Sequence, residues 1–154
     1  MGAPLRAVPA AVDTEALAGV VRAIACLLTG DNDGAWREAQ VAREMVRREG
    51  WSIVQAEAEV MRCEIAVVAG WCERLAAAAG ELASLAQSCR STRFSDDARF
   101  FASVSSRNPD PAVLEHLASR ATIAPVAARR ARVLLSPRRQ RGAAPAAPGD
   151  LVDR

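Results

Sequence analysis

Apolar residues recur along this chain at the i, i+3, i+4, i+7 spacing of a helix face, and no run shows the alternation of a half-buried strand. Leu17, Val20, Val21, Ile24, Leu27 and Leu28 form the first such face, on a helix that Asp13 or Thr14 can cap. Thr29-Gly30-Asp31-Asn32-Asp33-Gly34 reads as a turn, with Gly30 ending one helix and Asp33 capping the next. A second helix is predicted over 35–49. Trp36, Ala39, Ala42, Met45 and Val46 would face inward, and Arg37, Glu38, Arg43, Glu44 and Arg47 outward. A third, over 52–69, carries the stripe Ile53, Ala56, Val60, Cys63, Val67 and Val68, with Glu57, Ala58, Glu59, Arg62 and Glu64 on its wet side. A fourth, over 71–88, is built on Leu75, Ala78, Ala79, Leu82, Leu85 and Ala86. Ser95 can cap a fifth, with Asp96 and Asp97 in its first turn and Phe100, Phe101 and Val104 in its core. Pro111 fits the first position of a short sixth helix ending at Ser119. Pro125 opens a seventh over 124–135, with Val126, Val133 and Leu134 on its apolar side.

These helices repeat at a fixed shift of forty positions. Gly30 maps to Gly70, Ala35 to Leu75 and Ala39 to Ala79; Val20, Val60 and Phe100 align, as do Val21, Met61 and Phe101. A period of this size with helical texture predicts stacked helix pairs, each burying its apolar face on the next. The expected fold class is therefore all-α: an antiparallel helix-hairpin array of about three pairs over 13–135, closed by a C-terminal capping helix. A flexible N-terminus over 1–12 and a disordered basic, Pro- and Ala-rich tail over 136–154 would flank it.

Gly30-Asp31-Asn32-Asp33-Gly34-Ala35-Trp36-Arg37-Glu38-Ala39, with helix to Arg48-Glu49-Gly50, resembles the hinge and second helix of a tetratricopeptide-like repeat. The likeness is to the longer variety found in sensor regions of bacterial transcriptional regulators and signalling proteins. Gly70-Trp71-Cys72-Glu73-Arg74-Leu75 resembles the next copy, and the likeness covers about 14–120. No Tyr occupies the usual aromatic positions, and Asp110 stands where a third Gly would be. The resemblance implies a right-handed solenoid whose concave face comes from the first helix of each pair. On that footing Arg22, Glu57, Glu64 and Arg99 are the candidate partner-binding residues, and the function implied is capture of a protein or peptide in bacterial regulation. Three pairs is about the minimum for a stable array, which points to a longer parent chain or to self-association.

Charge adds a second reading. The chain of 154 residues has a net charge of +2, and all 20 of its basic residues are Arg. Residues 129–154 hold seven Arg against two Asp, a net +5; the rest holds 13 Arg against 16 acids, a net −3. Arg129, Arg130, Arg132, Arg138, Arg139 and Arg141 are thus the candidates for a nucleic-acid contact, the alternative function. No aromatic residue interleaves them and no base-reading motif accompanies them.

Chemistry-bearing patterns are absent. His116 is the single histidine, so Glu57, Glu64 and Glu73 cannot be completed into a di-metal helix site. Cys26, Cys63, Cys72 and Cys89 form no C-x-x-C pair and match no zinc spacing; reduced thiols in a cytoplasmic protein are expected. Neither a phosphate-binding Gly loop nor a nucleophile elbow occurs. No enzyme, cofactor or metal is expected. No leader is expected either, and no run approaches the ~18 apolar residues of a membrane span. Trp36, Trp51 and Trp71 sit near helix starts, where packing at helix corners is the expectation and a groove edge the alternative.

Overall fold

The computed structural model describes residues 10–48, 50–106, 108–120 and 125–142. Seven helices run in order: α1 (Ala10–Leu28), α2 (Asn32–Arg48), α3 (Ser52–Ala69), α4 (Cys72–Ser88), α5 (Thr92–Ser105), α6 (Pro111–Ser119) and α7 (Pro125–Gly142). No strand occurs among the described residues. Each helix packs on the next, and α5 also touches α3 and α7. The connections are short, so neighbours run antiparallel. The result is an all-helical array.

The first four connections share one geometry. Gly30, Gly50, Gly70 and Arg90 all have positive φ, between 51° and 80°, and they are evenly spaced along the chain. In each turn this residue's N–H donates to the carbonyl three positions back, and the next N–H donates to the carbonyl five back: Gly70 to Val67 at 3.2 Å and Trp71 to Ala66 at 2.9 Å, Arg90 to Gln87 at 3.1 Å and Ser91 to Ala86 at 3.0 Å. Two orphan carbonyls at the helix end are satisfied each time. Successive turns thus lie one helix–turn unit of twenty residues apart, and two such units span the forty-position shift in the sequence. The next unit departs from it, since α5 ends at Ser105 and Asp110 caps α6 by accepting from Ala112 N at 2.9 Å.

Two caps fall earlier than expected. Asp31, not Asp33, accepts from Gly34 N at 2.8 Å and starts α2. Ser91, not Ser95, caps α5, accepting from Phe94 N at 3.4 Å. The shift moves Asp96 and Asp97 out of the first turn and into the interior, where both are buried. At the ends, α1 begins at Ala10 and α7 passes the expected stop at Leu135 to reach Gly142. The rest of the expected flexible terminus and tail, 1–9 and 143–154, lies outside the described residues.

The main core joins α3, α4, α5, α6 and α7 around Leu75, Leu82, Phe94, Phe101, Leu114 and Leu117. A smaller cluster of Ala23, Ala35, Ala39 and Ile65 joins α1, α2 and α3. Ala39 and Ala79 are buried, as the close pairing of helices requires, and a Cβ added at Gly19 would lie 3.1 Å from that of Ala42.

Two expected faces are different. In α1 the buried residues are Ala16, Gly19 and Ala23, while Leu17, Val21, Ile24 and Leu28 are exposed. Among the described residues α1 has α2 as its main neighbour, which leaves one apolar side exposed. In α3 the expected stripe holds at Ala56 and Cys63, but Ile53, Val67 and Val68 are exposed. Glu59, Arg62 and Ala58, placed on the wet side by the sequence, are buried. Packed between α2 and α4, α3 has more of its surface covered than one stripe. Its buried charges are neutralised from both sides: Arg62 donates to Glu59 at 2.7 and 3.0 Å, Arg43 of α2 pairs with Glu59 and with Glu81 of α4, and Arg62 lies 3.7 Å from Glu81. Arg43, expected to face out, is the bridge of this quartet. Trp36 and Trp71 meet edge to face at 6.0 Å beside it, with Arg62 over Trp36 at 4.5 Å and Arg74 over Trp71 at 4.1 Å. These two tryptophans pack helix corners; Trp51 sits half-buried at the start of α3.

Candidate functional site

The odd-numbered helices α3, α5 and α7 share one face, and a groove of about 830 Å³ opens along it. Val67 and Val68 come from the last turn of α3, Phe100, Phe101 and Val104 from α5, and Val126, Val133 and Leu134 from α7. The local reasons differ by helix. Val67 and Val68 adjoin the turn at Gly70 and are exposed, while Ala66 beside them is buried. Phe101 is buried beneath the groove, with Phe100 against it at 5.4 Å in an edge-to-face contact. α7 uses Ala128, Ala131 and Leu135 to pack, which leaves Val126, Val133 and Leu134 exposed.

Its polar lining is Glu64 of α3 with Arg129 and Arg130 of α7. Glu64 of α3 pairs with Arg130 of α7 across the groove. Arg130 also lies over Phe101 at 5.4 Å and Phe100 at 6.0 Å, so the salt bridge is stacked on the aromatic floor. Arg129 is exposed on the rim and makes no ion pair among the described residues. Below the floor Asp97 is buried, with Arg93 at 3.9 Å. Burial pushes its carboxyl above the ordinary range, against the pull of Arg93 and Arg130.

The groove gathers some of the residues singled out from the sequence. Glu64, Arg129 and Arg130 line it. Glu57 lies on the same helix as Glu64 but is held by Arg93 through two hydrogen bonds, 2.7 and 2.9 Å. Arg22 donates to Glu38 at 2.6 Å at the α1–α2 seam, and Arg99 is exposed with Asp96 at 3.9 Å; neither reaches the groove. Arg132 donates to the Ala118 carbonyl at 2.9 Å, tying α7 to α6. Arg138, Arg139 and Arg141 fall on the last turns of α7, where side chains lie outside the described residues. The apolar walls were legible as apolar, but were read as core. The signal available was surplus: α3 and α7 each carry more large apolar residues than one packing face accommodates.

His116 is exposed in the last turn of α6, and no group of three His, Cys, Asp or Glu among the described residues can hold a metal. Cys63 is buried, and burial with the neighbouring Glu59 carboxylate pushes its thiol up to about 12. Among the described residues no helix is long and apolar enough to cross a membrane. No family model, curated protein or solved structure matches the chain.

Proposed function

We propose that this chain is a non-catalytic tetratricopeptide-like helical-repeat module that holds a protein or peptide segment in the groove of α3, α5 and α7, in bacterial regulation or signalling. The groove itself carries the reading. It is large, mostly apolar and partly open, and Arg129 at its rim has no ion-pair partner among the described residues, which suits an apolar segment bearing an acidic residue. The resemblance of Gly30–Ala39 and Gly70–Leu75 to repeat hinges supports the same reading. Selection from a random peptide library tests it. Val68 and Val133 are exposed, so Val68→Asp and Val133→Asp leave the fold intact while charging the groove. Peptides selected on the wild type should lose binding to both variants. Binders indifferent to both substitutions would refute the groove as the working surface.

A nucleic-acid reading rests on α7, which carries six Arg and no acid along its length. It requires capture that weakens steeply with salt and is lost when 129–154 are removed. Arg130 and Arg132 already have intramolecular partners, which favours the groove.

A further inference from the structure

The uncovered side of α1 is a second apolar surface of the molecule. Leu17, Val21, Ile24 and Leu28 are 63, 57, 42 and 83% exposed, at intervals of four, three and four positions. That spacing makes a continuous seam of the kind that pairs with another apolar surface. Residues in such a seam are rarely left in water together.

The seam and the groove complement each other in charge as well as in character. α1 carries Asp13 and Glu15 near its start, Asp13 in phase with the seam and Glu15 on the other side of the helix. Its one cation, Arg22, is already bound to Glu38. α7 has no acid, and Arg129 at the groove rim makes no ion pair among the described residues. Asp13, four positions before Leu17, continues the seam's spacing by one turn, so one surface is an apolar ridge that begins with an acid, and the other an apolar trough with an available base.

The repeat places both on the same side of the array. One repeat shift carries Ile24 to Glu64 and Leu28 to Val68; two carry Val21 to Phe101 and Ile24 to Val104. All four target residues line the groove. Ridge and trough are therefore neighbours on one face. We infer that the occupant of the groove is the α1 ridge of a second copy of this chain. Two copies laid face to face about a twofold axis seat each ridge in the other's trough. Both contacts are made at once, and the assembly closes as a dimer and does not grow as a filament. The inference rests on reading the groove as a docking surface.

Sedimentation velocity over a range of concentrations tests it, on wild type and on Leu17→Asp, Val133→Asp and Val41→Asp. All three positions are exposed, so folding is preserved, and Val41 on α2 lies outside both surfaces. The wild type and Val41→Asp should rise with concentration to twice the 16.3 kDa of one chain. Leu17→Asp and Val133→Asp should each raise the dissociation constant at least about tenfold. An equimolar mixture of those two should recover a one-to-one complex, because one retains the trough and the other the ridge. A charge exchange gives a second reading: Asp13→Arg or Arg129→Glu alone weakens the dimer, and the two together restore it. A wild type that stays monomeric, a dimer indifferent to Leu17→Asp and Val133→Asp, or a mixture that fails to associate would each overturn the inference. Repeating the peptide selection on Leu17→Asp, whose groove is intact, separates the two proposals. Binders that are lost on Val133→Asp uphold the groove even where the dimer fails.

Discussion

Arg90 occupies a backbone conformation that three glycines occupy elsewhere in the array, and the difference is measurable. Its φ is 51°, against 80°, 74° and 71° at Gly30, Gly50 and Gly70, and its turn makes the same two hydrogen bonds. A residue with a Cβ pays roughly 1–2 kcal/mol in the left-handed region. Arg90→Gly removes that strain, but frees the unfolded chain by about 0.4–1 kcal/mol. The net gain is about 0.5–1 kcal/mol. No contact is sacrificed, because Arg90 is exposed and makes no side-chain hydrogen bond or ion pair among the described residues. Gly70→Ala is the mirror experiment. A Cβ there meets nothing within 4 Å, so the backbone alone sets the cost, again about 0.5–1 kcal/mol and of opposite sign. Urea unfolding of the three proteins should give equal slopes and midpoints ordered Arg90→Gly, wild type, Gly70→Ala. Melting temperatures should separate in the same order, by ~1–4 °C per step for a domain of this size. An Arg90→Gly variant no more stable than wild type, with the slope unchanged, would refute the account of this turn.

Three further outcomes follow from buried groups. Glu59→Ala should lose roughly 3–5 kcal/mol in chemical unfolding, because it strands the buried Arg62 and removes one partner of Arg43; Glu59→Gln should lose less. Burial raises the carboxyls of Glu59, against the pull of Arg62 and Arg43, and of Asp97. In the window between the ordinary carboxylate value of about 4 and these raised values, the folded chain binds more protons than the unfolded one. Their contribution is therefore fully present below that window and is lost as pH rises through it. Melting followed against pH should show the wild type gaining more on acidification across the window than Glu59→Gln; parallel profiles would contradict this. Cys63, with its thiol at about 12, should resist an aromatic disulfide reagent at mildly alkaline pH until the chain unfolds, whereas the exposed Cys72 reacts in the native state.

The helices were legible because each is long relative to its turns and carries a repeating apolar face. α6 was clearest, with Pro111 at its first position and Asp110 as its cap. The caps of α2 and α5 were misplaced because Asp31 and Asp33, or Ser91 and Ser95, are chemically equivalent choices that only the exit path of the preceding helix decides. The groove was half legible. Glu64, Arg129 and Arg130 were named, but for separate reasons, since three intervening helices divide Glu64 from the two arginines along the chain. The apolar walls were misread because periodicity reports that a position is apolar and not what covers it; Val67 and Cys63 share one side of a helical wheel, yet Cys63 is buried and Val67 exposed. The quartet of Arg43, Glu59, Arg62 and Glu81 was invisible for the converse reason. A charged residue is assigned to water unless its partner is known, and here the partners come from three helices.

The even spacing of the left-handed turns limits how this chain can change length. One residue inserted within a helix swings everything after it by about 100° around the helix axis, which would carry Val68 off the groove or Glu59 out of its quartet. An insertion of two whole helix–turn units restores the phase of every downstream helix and adds a helix pair to the array. Tolerated length variation should therefore come in whole pairs along the first four helices. Single insertions belong between α5 and α6, where the even beat of the turns has already stopped.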